Sequence, residues 1–251
     1  MNVYIITGAS KGIGLALSKK LLGKRNKLIC IARSRKEELI KEAEQMEIKL
    51  AFITMDLADT SRISGEIEKI LSALPEEMES ATLINNAGVI EPIGKTEDND
   101  PVSLANSIQV NLTAPMLLSS AFIRMLKDKQ ITKRIINISS GAGRKSYTGW
   151  SSYCAGKAGL DRYSLVVAKE QQKDPFGVKI VSVAPGIIDT GMQEKIRASD
   201  ERDFEQLNRF IGYKEQGLLS TPEETAAKLC RLMESDTFDS LDTLLDLRDY
   251  D

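Results

Sequence analysis

The sequence contains no histidine, and this absence excludes more chemistry than any other feature of its composition. Hydrolases that activate serine or cysteine with a histidine base, histidine-ligated metal sites and HExxH metalloproteases all need that side chain. Acid–base chemistry must therefore use tyrosine, lysine, aspartate or glutamate, and no metal site is predicted.

Cysteines and long apolar runs are also scarce. Cys30, Cys154 and Cys230 are far apart and form no CxxC pair, so neither a disulfide framework nor a zinc site is expected, and a reducing compartment fits. No apolar run approaches the roughly 18 residues of a membrane helix, and Met1–Gly14 lacks the features of a signal peptide. We expect a soluble, cytoplasmic protein with no membrane partner.

Neither sign of charge is in excess. The 34 Lys and Arg residues nearly balance the 36 Asp and Glu residues, so no global field favours nucleic acid as a partner. With 42% hydrophobic and 28% charged residues, the chain can fill a core, which excludes a disordered protein. No linker or internal repeat divides it, and residues 1–251 are predicted to form one domain.

Short apolar runs rich in Val and Ile alternate with stretches of helical period along the whole chain, which is typical of repeated βαβ units. The sequence therefore predicts an α/β fold, a single-domain Rossmann-type doubly wound parallel sheet of about seven strands. The first strand is apolar throughout and should lie centrally, covered on both faces. The predicted strands are Val3–Thr7, Lys27–Ala32, Lys49–Met55, Thr82–Asn85, Arg134–Ile138, Val178–Val183 and Thr243–Leu247.

The least regular region is 187–220, with helical pieces at Met192–Ala198 and Phe204–Tyr213. Long insertions of this kind in α/β folds often cover a substrate site. We expect this segment to do so.

A glycine-rich turn, Thr7–Gly14, follows the first strand and precedes a helical run. Gly8 permits the tight turn, Gly12 lets the backbone approach a pyrophosphate, and Gly14 allows close packing of helix on strand. The GxxxGxG spacing matches neither the GxGxxG fingerprint nor the P-loop, so an ordinary tight turn stays open as an alternative.

The second strand ends at Arg33, where an NAD-binding protein would place an acid against the ribose 2′-hydroxyl. Arg33, with Lys11 and Arg35 nearby, instead offers positive charge for a 2′-phosphate. This favours NADPH or NADP⁺ over NAD, the alternative being that these cations are only solvated surface groups.

Tyr153 and Lys157 are one helical turn apart and project from one face, although such a pair alone carries little information. Ser139 and Ser140 end the strand Arg134–Ile138, at the edge where open α/β sheets build ligand sites. A tyrosine has an ordinary pKa near 10, and lowering it by about 3 units requires about 4 kcal/mol of preference for the phenolate. Lys157 and an oxidised nicotinamide can supply that field.

With these motifs in order over nearly its whole length, the chain resembles the short-chain dehydrogenase/reductase family. The matching motifs are Thr7–Gly14 (TGxxxGxG), Asn85–Gly88 (NNAG), Asn111, Ser140, Tyr153 with Lys157 (YxxxK) and Pro185–Thr190 (PGxxxT). The resemblance implies a homodimer or homotetramer built on helices that start near Pro101 and Trp150.

The family pattern also implies residue roles. Ser140, Tyr153, Lys157 and Asn111 would be catalytic, with Tyr153 as proton donor and Asn111 steadying a water relay. Lys157 would hold the nicotinamide ribose, Thr190 the carboxamide and Asp56 the adenine. The implied cofactor site comprises Gly8, Ser10, Lys11, Gly12, Ile13, Gly14, Arg33, Asp56, Leu57, Asn86, Ala87, Gly88, Tyr153, Lys157, Pro185, Gly186, Ile188 and Thr190.

For three of these residues, a purely structural role is the alternative. Asn111 could serve only local backbone groups, Asp56 could cap a strand end, and Asn86 could stabilise the turn rather than touch a ligand. Cys154 projects away from Tyr153 around the helix, and a packing role is expected for it.

Within the family, the segments 184–193 and 245–250 are similar to sepiapterin reductases and still more to bacterial benzil reductases. The resemblance implies a small-molecule carbonyl substrate. Tyr147, Trp150, Met192 and Phe210 are candidate apolar walls, with core packing as the alternative. Asp246 is a candidate anchor for a pterin, with a capping role as the alternative.

The sequence thus predicts NADPH-dependent reduction of a ketone or diketone, or of a pterin side-chain carbonyl. Three alternatives remain: a non-catalytic NADPH-binding sensor, an alcohol dehydrogenase of another substrate class, and a sugar-nucleotide epimerase or dehydratase. The last normally has a longer C-terminal region than the 61 residues after Thr190.

Overall fold

Seven parallel strands form one sheet in the computed structural model, which describes residues 1–250. Every predicted strand is present, with ends within two residues of the prediction, and the predicted fold class is confirmed. The sheet order is β3-β2-β1-β4-β5-β6-β7. The strands are β1 Asn2–Thr7, β2 Asn26–Ala32, β3 Lys49–Thr54, β4 Ser80–Asn85, β5 Thr132–Ile138, β6 Lys179–Ala184 and β7 Leu244–Asp246.

Helices cover both faces of this sheet. They are α1 Gly12–Lys20, α2 Glu37–Gln45, α3 Thr60–Ser72, α4 Pro101–Ile108, α5 Ala114–Met125, α6 Ser151–Gln171, α7 Gly191–Arg197, α8 Leu207–Glu215 and α9 Pro222–Glu234. A π-helical turn, Gln109–Thr113, joins α4 to α5. No helix in residues 1–250 combines the length and apolar character needed to cross a membrane.

The core consists of two apolar layers, one on each face of the sheet. In β1, Val3 and Ile5 pack with α3, α5 and α6, whereas Ile6 packs with α1 and α9. Because alternate side chains point to opposite faces, a strand covered on both sides must be apolar throughout. β1 lies inside the sheet as predicted, and β4 beside it is the middle strand.

The order of the strands reverses between β1 and β4. The chain winds outward from β1 to β3, crosses to β4, and then winds outward to β7. The loops that follow β1 and β4 therefore diverge, and this leaves a crevice above the C-terminal edge of the sheet.

The irregular segment 187–220 contains α7 and α8, close to both predicted helical pieces. A short parallel bridge between Ile188 and Ser220 closes its base, where Asp189 N donates to Ser220 O at 2.9 Å. Both ends of the segment are thereby held at the C-terminal end of β6.

The substitution Gly14→Ala tests the packing of α1 on β1, and Gly65→Ala in α3 is its control. A Cβ at Gly14 would overlap the Gly8 carbonyl oxygen and lie 2.5 Å from Asn86 Nδ2, whereas a Cβ at Gly65 in α3 would have no atom within 4 Å. We expect Gly14→Ala to destabilise the fold by about 1–3 kcal/mol through overpacking. Gly65→Ala should stabilise it by about 0.5–1 kcal/mol, because alanine has a higher helix propensity than glycine at an exposed position within a helix. Urea unfolding measures both, and stabilisation by Gly14→Ala would contradict the proposed close approach.

Candidate active site

A cleft of about 710 Å³ opens at the C-terminal edge of the sheet, above the reversal between β1 and β4. Almost every predicted site residue lines it; only Gly14 and Asn111 do not. The lining set comprises Gly8, Ser10, Lys11, Gly12, Ile13, Arg33, Asp56, Leu57, Asn86, Ala87, Gly88, Ser140, Tyr147, Trp150, Tyr153, Lys157, Pro185, Gly186, Ile188, Thr190, Met192, Phe210 and Asp246.

The glycine turn at one end of the cleft is built on left-handed backbone. Gly8 has φ +68° and Gly12 has φ +55°, conformations that favour glycine. Asn86 Nδ2 donates to Thr7 O at 2.9 Å, and the Thr7 hydroxyl accepts from the amides of Asn86 and Ala87 at 3.0 Å each. Asn86 therefore has the turn-stabilising contacts considered above, and it lines the cleft as well.

Two cations face this end without a partner. Arg33 and Lys11 are exposed at the cleft, and within residues 1–250 neither side chain forms a hydrogen bond or an ion pair. Arg35 instead pairs with Glu37 at 3.2 Å and does not line the cleft. The structure thus separates Arg35 from the other two predicted cations.

Asp56 at the end of β3 accepts from Ala58 N at 3.0 Å through Oδ1, which is the contact of a strand-end cap. Its side chain is also exposed at the cleft. The capping contact and the predicted adenine contact are therefore compatible.

Tyr153 and Lys157 lie on one face of α6 and are both buried. The Tyr153 hydroxyl is hydrogen-bonded to Ser140, whose Oγ also accepts from Ala142 N at 3.1 Å. Lys157 Nζ donates to Ile138 O at 2.8 Å and lies 5.8 Å from the centre of the Tyr153 ring. The structure therefore brings the three predicted side chains together at the floor of the cleft.

Close packing holds the turn after β5 against α6. A Cβ at Gly143 would lie 2.9 Å from the Lys157 carbonyl group and 3.0 Å from Asp161 Oδ2. Arg144, the next residue, pairs with Asp161 at 3.2 Å and donates to Leu245 O at 3.0 Å. The positions of Ser140 and Lys157 are fixed relative to each other by this contact.

Burial shifts both titratable groups toward their neutral forms. It raises the pKa of Tyr153 to about 12, against the opposing effect of the Ser140 hydrogen bond. It lowers the pKa of Lys157 to about 8, and the nearby Asp161 acts in the opposite direction. The lowered tyrosine pKa that the sequence argument required is therefore not found in the protein alone, because desolvation outweighs its polar contacts.

Asn111 lies in the π-helical turn and is fully buried. Its Nδ2 donates to Val89 O at 2.8 Å, and its Oδ1 accepts from Val89 N at 3.1 Å. A Cβ at Gly88 would lie 3.1 Å from Asn111 Oδ1 and 3.6 Å from Lys157 Nζ, so both side chains border that glycine. The Asn111 side chain serves the backbone after β4, and its relay role stays a prediction.

The other end of the cleft is aromatic, with Trp150 at its centre. The Trp150 ring stacks on Phe204 at 4.5 Å and meets Phe210 edge-on at 5.3 Å. It also contacts Tyr147 at 5.1 Å and Tyr153 at 5.8 Å. The candidate walls are therefore both core and cleft lining, since the small core here is itself the wall of the cleft.

Asp246 lines the cleft, but its carboxylate is already paired. Arg248 donates to it through Nε at 2.8 Å and Nη2 at 2.6 Å, and the Arg248 backbone amide donates at 3.1 Å. These bonds with Arg248 lower the pKa of Asp246. A capping role is therefore present, and a pterin would have to displace the guanidinium.

Sequence reasoning missed three residues at the substrate end: Phe204, Gln193 and Arg248. Phe204 begins the predicted helical piece Phe204–Tyr213, but it lies in the irregular stretch before α8 and was not identified as a wall residue. Gln193 follows the predicted wall residue Met192 in a short helix, and that proximity was the available signal.

Comparison with known proteins agrees with this geometry. The family model described as short chain dehydrogenase matches residues 2–201. A benzil reductase ((S)-benzoin forming) of Bacillus cereus is 40% identical over 239 residues, covering 95% of this chain and 96% of that protein. A sepiapterin reductase of Mus musculus is 32% identical over 255 residues, covering 95% and 94%.

Among solved structures, that of the KRED1-Pglu enzyme matches with a TM-score of 0.83 and 28% identity, covering 98% of this chain and all of that one. A short chain dehydrogenase/reductase from Saccharomyces cerevisiae matches with a TM-score of 0.82 and 26% identity, covering 99% and 97%. The family model, the curated relatives and the fold agree with the predicted resemblance, and the chain belongs to the short-chain dehydrogenase family of oxidoreductases.

Proposed function

We propose that the protein is an NADPH-dependent carbonyl reductase whose substrates are diketones of the benzil type. The observation that carries this proposal is the meeting of Ser140, Tyr153 and Lys157 on the cleft floor, between the glycine turn and the aromatic end. A cofactor-binding sensor would need the glycine turn and Arg33, but it would have no use for a serine hydroxyl and a buried tyrosine hydroxyl beside a buried lysine.

The glycine end fits a dinucleotide. Gly8 and Gly12 adopt positive φ, and the first turn of α1 directs its free amides toward the cleft, where a pyrophosphate would bind. Lys11 opens that helix without capping it through its side chain. The turn, Asp56, Thr190 and Lys157 would hold such a cofactor.

The unpaired cations Arg33 and Lys11 favour NADPH over NADH, because a 2′-phosphate would neutralise them. The fold alone decides nothing here. One solved relative of this fold, a putative gluconate 5-dehydrogenase, was crystallised with NADP, and another, 4-hydroxyisoleucine dehydrogenase, with NADH.

When bound, NADPH supplies the hydride that the carbonyl carbon receives. Tyr153 gives its proton to the carbonyl oxygen, and its high pKa keeps the phenol protonated until that transfer. The Ser140 hydroxyl, held by Ala142 N, donates to the same oxygen and polarises it. The Lys157 ammonium group stabilises the phenolate that Tyr153 becomes.

The aromatic end favours a diketone with aryl groups. Trp150, Tyr147 and Phe210 present ring faces and edges on which an aryl group can stack, and Met192 adapts to its shape. Asp246 would hold a pterin only after Arg248 leaves. The guanidinium binds the carboxylate through two bonds, and the Asp246 side chain is only 20% exposed, so anchoring of a pterin by Asp246 is a second hypothesis that requires breaking this pair.

The cofactor assignment is tested at Arg33. Arg33→Asp removes a partner of the 2′-phosphate and introduces repulsion, so we expect the KM for NADPH to rise tenfold or more while NADH turnover improves. Arg35→Asp is the matched control, because Arg35 pairs with Glu37 outside the cleft. Unchanged KM values for both cofactors in the Arg33 variant would exclude the assignment.

The proton donor is tested by Tyr153→Phe, which keeps the ring and removes the hydroxyl. We expect kcat for benzil reduction to fall by about 10² or more, with the Kd for NADPH unchanged. Tyr163→Phe is the control, since Tyr163 lies on the same helix with its hydroxyl on Met116 O. Near-normal turnover of Tyr153→Phe would refute the mechanism.

The role of Lys157 predicts a pH dependence. Because the pKa of Lys157 is lowered to about 8, the ammonium group is charged below that pH and neutral above it. We expect kcat/KM for benzil to fall as the pH rises above about 8, since this constant reports groups of the free enzyme. Lys157→Met should have low activity, and its kcat/KM should not show the fall above about pH 8. A wild-type profile that stays flat up to about pH 10 would contradict the role.

A further inference from the structure

Three residues that line the cleft have a buried polar side-chain atom without a hydrogen bond in the described residues: Ser139, Trp150 and Gln193. Gln193 on α7 is only 6% exposed, and its Oε1 is buried without a hydrogen bond in the described residues. Leaving a buried amide oxygen unpaired is energetically costly, and such groups are rare in native proteins. Gln193 also lines the cleft, so its side chain borders the space that a ligand would occupy.

Gln193 lies on the buried face of α7, which packs beside the cleft. Gln193 and Ile196 are three residues apart and both buried, so they share the inner face of α7. Ile196 packs in the cluster that contains Trp150 and Tyr153. The Gln193 backbone amide donates to Thr190 O at 2.8 Å, which fixes the first turn of the helix beside the cleft.

We propose that Gln193 determines specificity by binding a second oxygen adjacent to the carbonyl that is reduced. This inference rests on the proposed function, because it requires the cleft to hold a carbonyl compound next to Tyr153. Rotation of the amide by 180° exchanges its NH₂ and carbonyl ends, so the side chain donates to the second carbonyl of a 1,2-diketone or accepts from an adjacent hydroxyl. A ketone without that oxygen leaves Gln193 unpaired and gains nothing from it.

This role differs from that of the aromatic walls. The rings around Trp150 recognise the shape of an aryl group and bind mono- and diketones alike. A site built to hydrogen-bond a substrate discriminates far more strongly against the analogue that lacks the bonding atom. Gln193 would thus separate diketones from simple aryl ketones.

The test compares benzil with deoxybenzoin, which has the same two rings and only one carbonyl. In Gln193→Met we expect kcat/KM for benzil to fall tenfold or more and that for deoxybenzoin to change less than twofold. Each substrate is compared with itself in wild type, so the greater intrinsic reactivity of benzil cancels. Gln206→Met, the same change in the same segment but outside the cleft, should alter neither value.

Binding provides a readout that does not depend on turnover. Trp150 is the only tryptophan of the chain and lies in the cleft, so quenching of its fluorescence reports ligand binding. We expect Gln193→Met to weaken binding of benzil tenfold and to leave binding of deoxybenzoin unchanged. If wild type reduced neither ketone, the proposed function would fail, and this titration would still decide the role of Gln193.

Stability separates recognition from a structural role. Replacing an unpaired buried amide with methionine, which has a similar volume, should leave the Tm equal to or above that of wild type. A lower Tm would mean that the amide supports the fold and would overturn the proposal. Equal losses for benzil and deoxybenzoin, or no loss for either, would overturn it too.

Discussion

The contact between the ends of β1 and β4 is the constraint on which the site depends. The loops that follow these two strands diverge at this point, yet Thr7 is held to Asn86 and Ala87 by three hydrogen bonds of 2.9–3.0 Å. The same contact presses Gly8 and Gly14 so close that a Cβ at either would meet Asn86. The glycine turn, the floor of the cleft and the start of α1 take their positions from this junction.

Burial of Tyr153 and Lys157 sets the chemistry of the floor. Desolvation pushes the pKa of the phenol to about 12 and that of the ammonium to about 8, so each group is drawn toward its neutral form. A proton that leaves Tyr153 makes a charge that the apolar surroundings oppose and that Lys157 can stabilise. Burying these two titratable groups destabilises the fold, which a purely structural pair would not need to do and which catalytic sites often do.

Much of the fold could be predicted from the sequence, because the geometry within one helix or strand depends on residues that are close together along the chain. Short apolar runs rich in Val and Ile predicted the seven strands to within two residues, and the one-turn spacing placed Tyr153 and Lys157 on one face of α6. The missing histidines limited the acid–base groups before any contact was known. Arg33 was placed at the cleft simply because it ends β2.

The partner that each charged side chain takes, and the burial of each group, were decided only by the folded structure. The sequence grouped Arg35 with Arg33, but Glu37 holds it away; it offered Asp246 as a free anchor, but Arg248 occupies that carboxylate. It gave no sign that Gln193 would be buried with an unpaired oxygen, or that burial would raise the pKa of Tyr153 in the protein alone. Burial is a sum over neighbours brought together by folding, and the choice of a charged partner depends on the folded conformation of the backbone, so the spacing of residues along the chain determines neither.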